Sequence, residues 1–245
     1  MYEVLRGALL GDGSLVKSGK MINARFTYTS KSFQHTKYVS SWFSEYLCSN
    51  GVILRKRHDN RTDKDYESSQ FTTVVSPSLT EEYYKWYINK IKHIPNDLVL
   101  TPLMCKIWYI GDGSLITSPY CNSQRLMLYT NCFEKKELEN TLLPQLSQFE
   151  PRLQLMSRSN NNKNKNYAIS ICKKENIRKF LNFIGECPFE DYKYKWDVKE
   201  TLTRNFSKYC DKWNELYLNG LTTTQIAQKY KCSPTTVSKY LKEAR

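Results

Sequence analysis

Two short stretches of the chain nearly repeat each other, and they restrict its fold more than any other feature. Leu5-Arg6-Gly7-Ala8-Leu9-Leu10-Gly11-Asp12-Gly13-Ser14-Leu15 is matched by Cys105-Lys106-Ile107-Trp108-Tyr109-Ile110-Gly111-Asp112-Gly113-Ser114-Leu115. Each is an apolar run closed by Gly-Asp-Gly-Ser-Leu, which reads as a helix terminated where glycine accepts the left-handed backbone of a C-cap. An aspartate there is poorly placed, because a helix C-terminus disfavours a carboxylate by roughly 0.3–1 kcal/mol. Gly7 and Gly11 inside the first run cost about 1 kcal/mol each relative to alanine. Glycine does permit close approach of two helix backbones. Carboxylates brought together at the ends of such helices would hold a hard divalent cation. Taken singly, each Gly-Asp-Gly-Ser reads equally well as a turn between helix and strand. The repeat extends further, however: Ser30-Lys31-Ser32-Phe33 follows Asp12 at the distance at which Thr130-Asn131-Cys132-Phe133 follows Asp112. Such a shared period marks duplicated architecture.

The remaining pattern predicts the same element order twice. Residues 14–29 read as a β-hairpin turning at Ser18-Gly19-Lys20, followed by a helix over 32–49 that Asn50-Gly51 ends. Strands over 52–57 and 69–75 flank a polar loop, and a helix covers 79–93 before Pro95. In the second half strands are expected near 115–117 and 125–130, then a helix over 135–149. Strands near 153–157 and 167–171 and a helix over 174–184 complete it. Each half is thus αββαββα, giving an α+β fold of two pseudo-symmetric halves, 1–99 and 100–198, with antiparallel strands. After a linker at 199–208, residues 209–245 read as a small all-α domain. There Thr222 and Gln225 form a capping box, and Ser233-Pro234 opens the last helix.

These residues carry a family resemblance. Leu5–Gly13 resembles the LAGLIDADG motif, with Asp12 at its last acidic position, and Cys105–Gly113 resembles the divergent second copy of single-chain members. The connector Ile94-Pro95-Asn96-Asp97-Leu98, with Leu100-Thr101-Pro102-Leu103 after it, is similar to the lead-in to that second motif. Over residues 1–198 the chain resembles a monomeric, two-motif LAGLIDADG homing endonuclease. The resemblance implies free sheet faces forming a saddle on duplex DNA. It also implies a double-strand break across the minor groove with short 3′ overhangs.

Charge agrees with such a partner. Lys and Arg number 37 against 24 Asp and Glu, a net +13, and 13% of residues are aromatic, a balance that favours a polyanion. The two halves each contribute +4 and residues 199–245 contribute +5, so the tail is the most basic part for its length. The candidates for the DNA-binding sheet faces are Lys17, Lys20, Asn23, Arg25, Thr27, Arg55, Arg57, Arg125, Arg152, Gln154 and Arg158. The tail resembles the helix-turn-helix of resolvase-like domains, with Thr235, Thr236, Ser238, Lys239 and Lys242 facing the major groove. A helical module for self-association is the alternative there.

Hydrolysis of a phosphodiester needs an activated water, a neutralised phosphate and a stabilised leaving oxygen, which a carboxylate-held metal can supply. Asp12 and Asp112 are the expected ligands, each serving one strand, with the Gly11 and Gly111 carbonyls as helpers. Mg²⁺ suits so sparse a site, with Mn²⁺ as the alternative. Lys31 and Asn131 stand where relatives often carry Gln and are expected to orient water and phosphate. Relatives also tend to place a basic residue on a late strand, but neither Thr72–Ser76 nor Ala168–Cys172 contains Lys or Arg. Ile107, where the first motif has Gly7, suggests looser helix contact.

Eight scattered cysteines without a Cys-x-x-Cys pair read as reduced, partly buried fillers, and only His35, His58 and His93 are present, which argues against a Cys/His zinc site. No apolar run is long enough to span a bilayer, so the expectation is an intracellular protein; the family resemblance implies a monomer, and no obligate protein partner is expected. The competing functions are a non-cleaving DNA-binding regulator, an intron RNA maturase, or a structural interaction protein. Retention of both acids favours the nuclease.

Overall fold

The computed structural model describes residues 1–19, 22–118, 123–156, 166–200 and 205–243, apart from the side chains of Arg57, Asp59, Lys242 and Glu243. Helix α1 (Tyr2–Leu10) buries Val4, Leu5, Gly7, Ala8, Leu9 and Leu10, and helix α4 (Pro102–Asp112) buries Met104, Cys105 and Ile107 to Ile110. Helices apolar on nearly every side must be covered on nearly every side, so these two form the centre of the duplicated part. Their backbones meet at Gly7, where a methyl group would lie 2.5 Å from the Met104 carbonyl oxygen and 3.0 Å from Ile107 Cβ. Ile107 therefore does not loosen the contact as its mismatch with Gly7 suggested. It fills the space that the glycine leaves.

Each half carries a four-stranded antiparallel sheet of the same order. Strands β1 (Ser14–Val16), β2 (Arg25–Ser30), β3 (Ile53–Asp59) and β4 (Lys64–Thr72) pair as β1-β2-β4-β3. Strands β7 (Gly113–Thr117), β8 (Gln124–Tyr129), β9 (Arg152–Leu155) and β10 (Tyr167–Ile171) pair as β7-β8-β10-β9. Alternation decides the faces. Phe26, Tyr28 and Phe71 turn into one core and Leu126, Leu128, Ile169 and Ile171 into the other. Helices α2 (Phe33–Ser41), α3 (Pro77–Trp86) and α7 (Lys174–Ile184) complete the two αββαββα units.

Three expected helices end early or are interrupted, each for a local reason. Helix α2 stops at Ser41 rather than near 49, because the Ser40 and Ser41 hydroxyls donate back to the Lys37 and Tyr38 carbonyls and the chain tightens into 3₁₀ geometry. Helix α3 stops at Trp86 rather than 93. There the chain turns into a hairpin, β5 (Tyr87–Ile88) and β6 (Ile91–Lys92), through Asn89 and Lys90 at φ 50° and 66°, the positive values a tight two-residue turn requires. The helix expected over 135–149 is broken: α5 (Lys135–Glu137) passes through a π turn at Leu138–Leu142 into α6 (Leu143–Gln145). Pro144 lacks an N–H and crowds the carbonyl four residues back, which accounts for the widened turn. Conversely, β3 and β4 stay paired as far as Asp59 and Lys64, so the loop expected over 58–67 is only a short turn.

The connector is tied to the second half by two side chains. Glu137 Oε1 accepts from the Ile94 N–H at 2.9 Å and lies 3.1 Å from His93 Nδ1. Gln145 accepts from the Leu100 N–H at 2.7 Å and donates to the Leu98 carbonyl at 2.9 Å. Beside it, Arg6 makes a forked pair with the buried Glu82 at 2.8 and 3.0 Å, fixing α1 to α3.

The chain divides into one compact unit of residues 1–115 with 125–197, containing both halves, and a second of 116–124 with 198–245. In the second, helices α8 (Cys210–Leu218), α9 (Thr223–Tyr230) and α10 (Pro234–Glu243) enclose Trp213, Ile226, Ala227, Cys232, Val237 and Leu241. The Thr222–Gln225 capping box forms as expected. No helix among the described residues is long and apolar enough to cross a membrane. The described cysteines are free, but Cys132 and Cys172 are exposed rather than buried fillers, and Cys121 lies outside the described residues.

Gly7→Ala should destabilise the duplicated unit by about 1–3 kcal/mol, the usual cost of overpacking, because the obstacle is a backbone carbonyl that cannot rotate away. A lowered thermal midpoint is the expected result; an unchanged one would show that α1 and α4 can separate at no cost.

Candidate active site

The two motifs end differently in detail. Helix α1 stops at Leu10 and Asp12 lies in the turn beyond it, whereas Asp112 is itself the last residue of α4. Neither glycine expected to cap in the left-handed region does so: Gly11 has φ −120° and Gly113 φ −103°. Glycine is required for proximity instead. A Cβ on Gly11 would stand 3.3 Å from Asp112 Oδ2, and one on Gly111 would stand 3.5 Å from Asp12 Oδ2. Each motif's glycine thus makes room for the other motif's carboxylate, and the two acids cross.

Two lysines complete the site, and the sequence reading did not single out either. Lys92 Nζ, from β6, donates to the Gly13 carbonyl at 2.9 Å and the Gly11 carbonyl at 3.3 Å. Lys195 Nζ, from a 3₁₀ turn over Glu190–Lys195, donates to the Ile110 carbonyl at 2.7 Å and the Tyr109 carbonyl at 3.4 Å. The Tyr109 hydroxyl returns a 2.6 Å bond to the Lys195 carbonyl. Lys195 therefore sits on carbonyls of the last turn of α4, and Lys92 on the C-cap carbonyl of α1 and on Gly13 just beyond it, places where the helix dipoles favour a cation. The unfavourable placement of each aspartate is offset by a lysine from the segment after its own half's last long helix. The two lysines do not share the 100-residue spacing of the aspartates. Lys92 was also hidden in what read as helix, so the repeat could not reveal them.

Crowding shapes the charges. Desolvation and then the neighbouring Asp12 charge push Asp112 up to about 6, partly countered by Lys92 and Lys195. Asp12 is raised in the same sense, by desolvation against the pull of Lys195 and Lys92. Burial brings Lys195 down to about 8 and also lowers Lys92, while both carboxylates favour the charged ammonium forms. Two acids sharing a small space beside two partly desolvated bases form a site whose protonation is adjustable near neutrality.

The other candidate residues divide. Lys31 and Asn131 are exposed in the turns after β2 and β8, and no hydrogen bond among the described residues joins either to the aspartates. Arg25, Thr27 and Arg55 lie on the uncovered face of the first sheet, in register with Thr29, Ser68, Gln70 and Thr72, which the sequence reading did not name. Asn23 is instead engaged by the Thr80 hydroxyl at 3.2 Å, and Lys17 lies 5.8 Å over the Tyr84 ring of α3, so both are turned toward the helix layer. Arg125, Arg152 and Gln154 share one face of the second sheet with the buried Met127, Ala168 and Ser170, and Arg125 donates to Gln154 Oε1 at 2.9 Å. Lys20 and Arg158 lie outside the described residues, as do the side chains of Arg57 and Lys242. On α10, Thr235 and Lys239 are exposed and Ser238 is half-buried. Thr236 is used at the helix start, with its hydroxyl 2.8 Å from Ser233 Oγ, rather than projecting outward.

Comparison with known proteins supplies the wider context. The chain is 26% identical over 147 residues to cytochrome b mRNA maturase bI2 of Debaryomyces hansenii, covering 58% of this chain and 54% of that protein. It is 31% identical over 143 residues to an uncharacterized protein of Methanocaldococcus jannaschii, covering 56% and 52%. The chain thus spans about half the length of the curated relatives it matches. In structure it is similar to the homing endonuclease I-WcaI, solved bound to its DNA recognition sequence, with TM-score 0.68 and 21% identity over 81% of this chain and 86% of that one. This match shows the fold. Residues 2–180 match the model of the LAGLIDADG DNA endonuclease family, and the chain belongs to that family.

Proposed function

We propose that the chain is a site-specific DNA endonuclease that makes a metal-dependent double-strand break in a long recognition site. The observation that carries the proposal is the crossed pair Asp12 and Asp112, with a lysine at the end of each motif helix. A purely binding surface gains nothing from two like charges held in one small volume. A hard divalent cation fits this donor set, since Mg²⁺ needs one or two protein carboxylates and takes the rest of its shell from water and phosphate. Held by Asp12 and Asp112, Mg²⁺ or Mn²⁺ would supply charge neutralisation at the phosphate and a more acidic water. The Gly111 carbonyl remains a proposed helper, but the Gly11 carbonyl already accepts from Lys92.

The chain's own groups do the rest. Lys92 and Lys195 direct positive charge at the space between the acids, where a phosphate and its departing oxygen would lie. Lys195, brought down to about 8 by burial, is the proposed group to hold or release a proton at Nζ. Lys31 and Asn131, exposed in the turns after β2 and β8, are proposed to orient water or phosphate. The sheet faces bearing Arg25, Thr27, Arg55, Arg125, Arg152 and Gln154, together with the exposed residues of α10, form the proposed duplex-DNA contacts. One observation favours a second reading, intron RNA maturation: the similarity to a protein named as an mRNA maturase. Splicing of a cognate intron transcript by the purified protein tests it.

Selection of cleaved sequences from a randomised DNA library with Mg²⁺ should return a long, defined site. Asp12→Asn and Asp112→Asn should each abolish the double-strand break while binding in Ca²⁺ persists; a mutant that still cuts both strands refutes the assignment. Deleting residues 209–245 should weaken DNA binding and flatten its salt dependence while metal-dependent cutting survives at high protein concentration. Loss of cutting at saturation would place the tail within the chemistry. In EDTA, Asp112→Asn should raise the thermal midpoint at pH 7. The folded state binds this proton more tightly than the unfolded chain, so stability falls as pH rises from about 4 through about 6, a loss the amide escapes. The gain should vanish below pH 4; a gain independent of pH would argue against crowding of the acids.

A further inference from the structure

The crossed carboxylates are nearly symmetric, but their surroundings are not. Tyr28, buried on β2, brings its hydroxyl to 3.6 Å from the place a Gly111 Cβ would occupy, the same point that lies 3.5 Å from Asp12 Oδ2. Behind it, His35 Nε2 is 2.8 Å from the Tyr28 hydroxyl and His35 Nδ1 is 3.2 Å from Ser30 Oγ. His35 is fully buried, packed between the rings of Tyr28, Phe189 and Tyr192, and burial with the nearby Lys195 charge keeps it neutral, with its pKa pulled down to about 3. At the equivalent 100-residue spacing the second half has Leu128 for Tyr28 and Lys135 for His35. Leu128 is core, and Lys135 is exposed and paired with Glu139. Among the described residues, no hydroxyl of the second half stands at the position equivalent to Tyr28.

We infer that Tyr28, held by His35, is a positioning residue that orients water or phosphate at one of the two cleavage sites only, so the strands are cut by unequal machinery. The inference rests on the endonuclease reading. A neutral imidazole has one N–H, and the charge in front of the relay decides where it lies. Two carboxylates favour a phenol that donates toward the site. Tyr28 oxygen then accepts from His35 Nε2–H, and His35 Nδ1 accepts from the Ser30 hydroxyl. A buried chain of this kind, with each member satisfied by the next, fixes the direction of the last hydrogen.

Cleavage of DNA labelled differently on each strand tests the inference. Tyr28→Phe should slow one strand about tenfold and leave the other within about twofold, so that nicked DNA accumulates, with affinity in Ca²⁺ unchanged. His35→Gln should slow the same strand. Both rates come from one sample, so their ratio is independent of the fraction folded. Equal slowing of both strands, or no change in the ratio, overturns the proposal. A second measurement needs no cleavage: the ¹⁵N shifts of His35 should report the Nε2–H tautomer, and the Nδ1–H tautomer would equally overturn it. Wild-type protein that cuts neither strand would refute the endonuclease reading while leaving the tautomer result to decide the relay.

Discussion

The close approach of α1 and α4 is the constraint on which the rest of the structure depends. Without a side chain at Gly7 the first helix can rest on the backbone of the second, and with Ile107 opposite, the contact is filled rather than hollow. That contact sets the ends of the helices side by side. At Gly11 and Gly111 the same device is repeated with a different consequence, because the vacated volume receives an acid from the other motif. Packing and electrostatics are opposed here: the arrangement that buries most apolar surface also forces two carboxylates together.

Lys92 and Lys195 relieve that opposition without removing it. Each is anchored by backbone carbonyls at or just beyond the end of a motif helix rather than by a direct ion pair with an aspartate. A lysine paired directly with a carboxylate would neutralise it and fill the space in front of it. Seated on the helix terminus, it compensates the dipole, remains in electrostatic range of both acids and leaves the space between them to a third party.

Much of this was legible in the residues. The duplicated motifs, the alternation of the strands and the αββαββα order follow from periodicities that the packing preserves. The tail's helix boundaries follow from the Thr222 capping box and from Ser233-Pro234. What escaped is where tertiary geometry overrides a local reading. The motif glycines suggested left-handed caps, but what they provide is proximity, which only the other half of the chain can reveal. Residues 79–93 have helical spacing throughout, yet Asn89 and Lys90 turn them into the hairpin that delivers Lys92. Asn23 and Lys17 are polar residues near strands, and only the position of Thr80 and Tyr84 shows that they face the helices. Gln70 and Thr72 were overlooked because only the pairing register with Thr29 and Thr27 places them on the open face.

The faces of the two sheets answer to different demands. On one, Phe26, Tyr28, Phe71, Leu126, Leu128 and Ile169 are committed to the interior, where any change of volume disturbs a neighbour. On the other face of the first sheet, Arg25, Thr29 and Gln70 alternate with Phe26, Tyr28 and Phe71 along the same strands and support no core. A lineage carrying this scaffold can therefore exchange the second set freely while the first stays fixed. Each strand of the first sheet's centre is half frozen and half open to drift, which gives such a protein a way to vary its surface without relearning how to fold.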